Sequence, residues 1–115
     1  MSSTTQHKQL ALLSVAVISK DGVAHDIEFP LHPETNSGKG IGTLLTALLE
    51  TISTHIGSDQ ALRSGDILQA LSMTMAVRAL MDGDDQEAIQ DLQFSLLKNA
   101  HQAIANTNSY SSGRA

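Results

Sequence analysis

The sequence has no cysteine and no tryptophan, and its 115 residues include one tyrosine, two phenylalanines and two prolines. Without cysteine there are no disulfides, no thiolate metal sites and no thiol nucleophile. So few aromatic rings leave no stacking platform for single-stranded nucleic acid. Clustered positive charge is missing too. Lys8, Lys20, Lys39, Arg63, Arg78, Lys98 and Arg114 stand singly, against twelve acidic residues, for a net charge of −5. Phosphate backbones are held by concentrated positive field, so nucleic acid is not expected as a partner. Long apolar runs are absent as well: the longest, Leu10 to Ile18, is about half of a membrane span. Lys8 before it faintly imitates a signal-peptide core. A turn, Ser19-Lys20-Asp21-Gly22, stands where a small-residue cleavage site would be needed. The expectation is a soluble, acidic, cytoplasmic protein without membrane association.

What is present is an ordinary globular composition, 41% hydrophobic and 17% charged, in a length suited to one domain. The polar residues 1–8 read as a flexible N-terminus, 9–106 as a single α+β domain, and 107–115 as a flexible C-terminal tail. The domain opens with an antiparallel β-hairpin over about 10–31. Residues 23–31 alternate, with Val23, His25, Ile27, Phe29 and Leu31 on one side and Ala24, Asp26, Glu28 and Pro30 on the other. Asp21-Gly22 is the signature of a two-residue type I′ turn, whose two central residues need positive φ. That turn sets Ile18 against His25, Ala16 against Ile27 and Ser14 against Phe29. Pro30, Asp26 and Glu28 mark the second strand as a protected edge. The first strand is apolar on both faces and carries no charge between Leu10 and Ser19, the pattern of an interior strand. With no third strand in view to flank it, pairing with the same strand of a second copy predicts a homodimer.

Three helices follow, expected over about 40–56, 64–81 and 84–106, with the hairpin packed on them. The first carries Ile41, Leu44, Leu45, Leu48, Leu49, Ile52 and Ile56 on one stripe and ends at Gly57. The second, capped by Ser64 or Asp66, is apolar around nearly its whole circumference, which makes it a central element or an oligomer contact. Its residues Met73, Met75, Ala76, Ala79 and Met81 form an adaptable surface that suits either core packing or a protein partner. The third begins at Asp84, with Glu87 at capping-box spacing, and buries Ala88, Ile89, Leu92, Leu96, Ala100, Ala103 and Ile104.

The one segment that hints at chemistry lies between hairpin and first helix: Gly38, Lys39, Gly40, Ile41, Gly42 and Thr43. Glycines opening a helix can present backbone N–H groups to phosphate or another anion. The nucleotide-hydrolase phosphate loop is not matched, because Pro33 stands where its first glycine belongs and Gly40 follows Lys39 where Ser or Thr belongs. The dinucleotide fingerprint fails as well, since Gly42 comes one place early. The run Ile27-Glu28-Phe29-Pro30-Leu31-His32-Pro33-Glu34, followed by Gly38-Lys39-Gly40-Ile41-Gly42-Thr43-Leu44-Leu45, resembles the acetyl-CoA-binding motif of GNAT acetyltransferases. The resemblance implies that Gly40 and Gly42 would hold a pyrophosphate on their backbone N–H groups. Ser37 occupies the position where that family has Arg or Gln, and the family's surrounding strands are not matched. The simpler reading is that the glycines permit a tight strand-to-helix turn.

No other constellation points to catalysis. His7, His25, His32, His55 and His101 show no i, i+4 pairing. His25 and Asp26 point to opposite faces of a strand, and His25 is expected to pack beside Ile18. Asp82-Gly83-Asp84-Asp85 lacks the glycine and glutamate positions of a calcium loop, so helix capping accounts for its acids. No nucleophile elbow is present. The sequence reading is therefore a non-enzymatic interaction or accessory protein acting as a homo-oligomer, without metal or cofactor. The alternative is an acetyl-CoA-, nucleotide- or anion-binding protein, acyltransferase-like, using residues 37–43.

Overall fold

Alternating apolar side chains on either side of Ser19–Gly22 fold back on themselves as an antiparallel hairpin, β1 (Leu12–Ile18) and β2 (Val23–Pro30). The structure, a computed structural model, describes residues 11–111. Three helices follow the hairpin: α1 (Gly38–Ser58), α2 (Ser64–Asp82) and α3 (Gln86–Ala105). A short strand, β3 (Asn108–Ser111), closes the described chain. The architecture is α+β. Residues 1–8, expected to be a flexible terminus, lie outside the described residues.

The hairpin corrects the expected register by one residue. The turn is a three-residue loop, Lys20-Asp21-Gly22, closed by the Gly22 N–H on the Ser19 carbonyl at 2.9 Å and by the Ser19 N–H on the Val23 carbonyl at 2.8 Å. Only Gly22 has positive φ, at 85°, and Asp21 does not. A type I′ turn would need both, so the loop is a type I turn completed by a left-handed glycine. Side chains favour this form: the Ser19 hydroxyl donates to the Asp21 carboxylate and also lies 3.2 Å from the Val23 carbonyl. Leu13 consequently stands opposite Phe29, Val15 opposite Ile27 and Val17 opposite His25. Leu13, Val15, Val17, Ile27 and Phe29 share one face, while Ser14 and Ala16 meet Glu28 and Asp26 on the other, which also carries the exposed Leu12 and Ile18. A one-residue slip would have mixed the two sets, which is why the hydrophobic pattern overrides the local turn signal.

A second correction concerns the edges. Among the described residues the strand order is β1-β2-β3, so β2 is central and β1 is an edge. β3 pairs with Val23 to Asp26 only, leaving Pro30 beyond its reach. Within the segment expected to be a tail, the four residues of β3 thus join the sheet.

The helix ends follow capping chemistry with shifted positions. Helix α1 begins at Gly38 and runs through Gly57 to Ser58. At the start of α2 the Asp66 carboxylate accepts the Arg63 N–H at 3.1 Å, capping from inside the first turn. Gly83, at φ 76°, ends α2, with the Asp84 N–H on the Ala79 carbonyl and the Gly83 N–H on the Leu80 carbonyl, the double bond pattern of a Schellman cap. Asp85, rather than Asp84, caps α3 by accepting the Ala88 N–H at 3.0 Å.

The chain divides into two compact units. One contains the sheet, the loop to Gly38 and α3 from Ser95 onward. The other contains Lys39 to Phe94, and thus most of α1, all of α2 and the start of α3. Among the described residues, the buried hydrophobic positions are Ala24, Ile27, Ala79 and Ala103. Only one of these has a side chain larger than a methyl group.

Candidate functional site

The six residues Gly38 to Thr43 form the first turn and a half of α1. None has positive φ, so the glycines are helical residues and the chain turns before them, over residues 31–37. In that turn the Thr35 N–H donates to the His32 carbonyl at 3.0 Å, and the Glu34 N–H donates to His32 Nδ1 at 3.0 Å. His32 thereby shapes the loop with both its backbone and its ring. Gly38 packs closely against the preceding loop: a Cβ there would lie 3.1 Å from Leu31 Cδ1. The Thr43 hydroxyl donates to the Lys39 carbonyl at 3.1 Å, inside the helix. Lys39 is exposed.

The sheet unit holds an open cleft of about 900 Å³. Phe29 and Leu31 line it from the strand side, Leu96 and Ala103 from α3, and Asp26 and Glu28 add negative charge. Asn99, Gln102 and Asn106 also border it, spaced so that they recur along one face of a helix. That polar row was visible in the sequence, but its apposition to β2 depends on the tertiary fold. His32 borders the cleft as well.

His25 is on β2 opposite Val17, not Ile18, on the face shared with Ile27 and Phe29. Its Nε2 lies 3.4 Å from the Ser19 hydroxyl. His55 and His101 sit on α1 and α3. Among the described residues, no three His, Asp or Glu side chains are grouped so as to hold a metal ion. Two of the acids of residues 82–85 are engaged locally: Asp82 forms an ion pair with Arg78 at 2.6 Å, and Asp85 caps α3. No helix among the described residues is long and apolar enough to cross a membrane.

The most extensive feature is apolar surface. On α1, Ile41, Leu44, Leu48, Leu49 and Ile56 are exposed. On α2 the exposure of Leu68 is 64% and of Leu80 70%, with Met73, Met75, Val77 and Met81 also open. Helix α2 is therefore not the buried centre of its own chain; of its residues only Ala79 is buried. On α3, Phe94 is 73% exposed, and Leu92, Leu96, Leu97 and Ile104 are open too. Exposed apolar side chains recurring along a helix, where they form a patch, mark interaction sites.

Comparison with family models, with curated proteins and with solved structures finds no match to this chain.

Proposed function

We propose that this protein is a non-enzymatic interaction protein that works as a homo-oligomer, accessory to a protein partner, with its helical faces covered by another copy of the chain. The observation that carries the reading is the exposure of Leu68 and Leu80 on a helix that is apolar all round. In proteins most helical stability comes from packing an apolar face rather than from intrinsic propensity. Covering one Leu or Met side chain is worth roughly 1.5–3 kcal/mol. The described residues of a single chain bury one isoleucine and three alanines, far too little to offset the ordering of three helices. A second chain with the same faces supplies what is missing. The reading also takes the protein as cytoplasmic, because the run that imitates a signal core is the strand β1, followed directly by a hydrogen-bonded turn.

The test is light scattering on the wild type and on a Leu68→Glu/Leu80→Glu variant at micromolar concentration. The expected result is a wild-type mass of two or more chains, and a variant that falls toward one chain while losing helical circular dichroism. A wild type of one chain, or a variant with unchanged mass and helicity, contradicts the proposal.

A further inference from the structure

The outer edge of β1 carries the information to say how one copy meets another. The Ser19 N–H donates to the Val23 carbonyl and the Leu31 N–H to the Ala11 carbonyl, each at 2.8 Å. Both pairs fall on the same ladder as Val15↔Ile27, so the odd-numbered residues of β1 exchange hydrogen bonds with β2. Leu12, Ser14, Ala16 and Ile18 therefore direct their N–H and C=O groups to the opposite side, where no described strand lies. That side has none of the usual protections of an edge: no proline, no charge and no bulge in Leu12–Ile18.

The strand is also a palindrome in side-chain size about Val15. It reads Leu, Leu, Ser, Val, Ala, Val, Ile from Leu12 to Ile18, with small residues flanking the centre and larger aliphatic ones outside them. Laid antiparallel on itself with Val15 at the centre, Ser14 meets Ala16, Leu13 meets Val17 and Leu12 meets Ile18. The hydrogen-bond phase agrees, because even residues then pair with even residues through the groups that point outward. The face parity agrees as well: Leu13, Val15 and Val17 stay on the face they share with Ile27 and Phe29. A foreign strand would need to match this pattern, whereas a second copy matches it by symmetry.

We propose that β1 pairs antiparallel with β1 of a second copy across a two-fold axis at Val15, joining two three-stranded sheets into one of six strands. The pairing rests on the homo-oligomer reading above and specifies its register.

The absence of cysteine makes the test clean. At the two-fold, the two Val15 Cα atoms form a non-hydrogen-bonded pair about 4.5 Å apart, inside the disulfide range of about 4.4–6.8 Å. The two Leu13 residues would be about 14 Å apart, four residues out of register. Val15→Cys should thus cross-link the full chain under mild oxidation, and Leu13→Cys should not. Ala16→Pro provides the second variant: its lost N–H points away from β2, so the hairpin keeps its bonds while the edge is blocked. The expected result is a V15C disulfide dimer, no L13C dimer, and dimerisation of A16P weakened about tenfold or more with β-sheet circular dichroism retained. An oligomer by light scattering in which V15C fails to cross-link, or L13C links equally well, overturns the strand pairing and leaves the oligomer reading standing. A single-chain mass for the wild type overturns both.

Discussion

Val15 stands directly opposite Ile27 across the hairpin, and this pairing sets the face of every side chain in both strands. It depends on a loop of three residues, because a two-residue loop would move Ala16 into that place. The residue that allows the longer loop is Gly22, at φ 85°. Gly22→Ala is expected to cost roughly 1–2 kcal/mol, the penalty of a Cβ in left-handed backbone. Urea unfolding measures it. A variant as stable as the wild type would contradict the type I turn with a left-handed glycine.

The same loop predicts a pH dependence. The Ser19 hydroxyl holds the Asp21 carboxyl below its ordinary value, helped by backbone N–H groups of Asp21 and Val23 and by His25, with desolvation opposing. A carboxyl whose folded pKa is depressed favours folding fully above its unfolded value, about 3.9. The contribution is lost as pH falls through that value toward the folded pKa. Ser19→Ala should flatten this loss in unfolding measured from pH 5 down to 2, and Asp21→Asn should remove it. Equal acid dependence in wild type and both variants would contradict the assignment.

Asp85 caps α3 through the Ala88 N–H, whereas Asp84 donates its own N–H to the end of α2. Asp85→Ala should therefore cost about 1 kcal/mol, within the range for losing a side-chain cap, and Asp84→Ala much less. Thermal unfolding of the two variants side by side checks the order, and the reverse order would contradict it.

The glycines of α1 separate packing from binding. With Gly38 in contact range of Leu31, Gly38→Val should destabilise the protein through that contact. Under the interaction-protein reading, calorimetry with acetyl-CoA or a nucleotide should give no saturable heat. Saturable heat that disappears in Gly40→Val or Gly42→Val would favour the anion-binding alternative.

Much of this architecture is legible in the sequence. The period-2 alternation of residues 23–31 and the stripe from Ile41 to Ile56 give the hairpin and first helix, because each period gathers the apolar side chains of its element on one face. The register was not legible, since Asp21-Gly22 is the usual sign of a two-residue turn. The competing Ser19–Asp21 hydrogen bond becomes apparent only in three dimensions. Strand β3 left no hydrophobic signature: Asn108–Ser111 is polar and joins the sheet through backbone pairing with Val23 to Asp26. Gly40 and Gly42 read as a turn because glycine is a poor helix former, yet both lie inside α1. For α2, all-round apolarity allowed either a core helix or a contact helix. The exposure of Leu68 and Leu80 removes the first choice within a single chain.

If the helices fold only when covered by another copy, folding and association are one equilibrium, and stability must depend on protein concentration. Urea unfolding followed by helical circular dichroism, over a hundredfold range of protein concentration, measures this directly. The expected midpoint rises steadily with concentration; a midpoint that stays fixed across the whole range would contradict coupled folding and association.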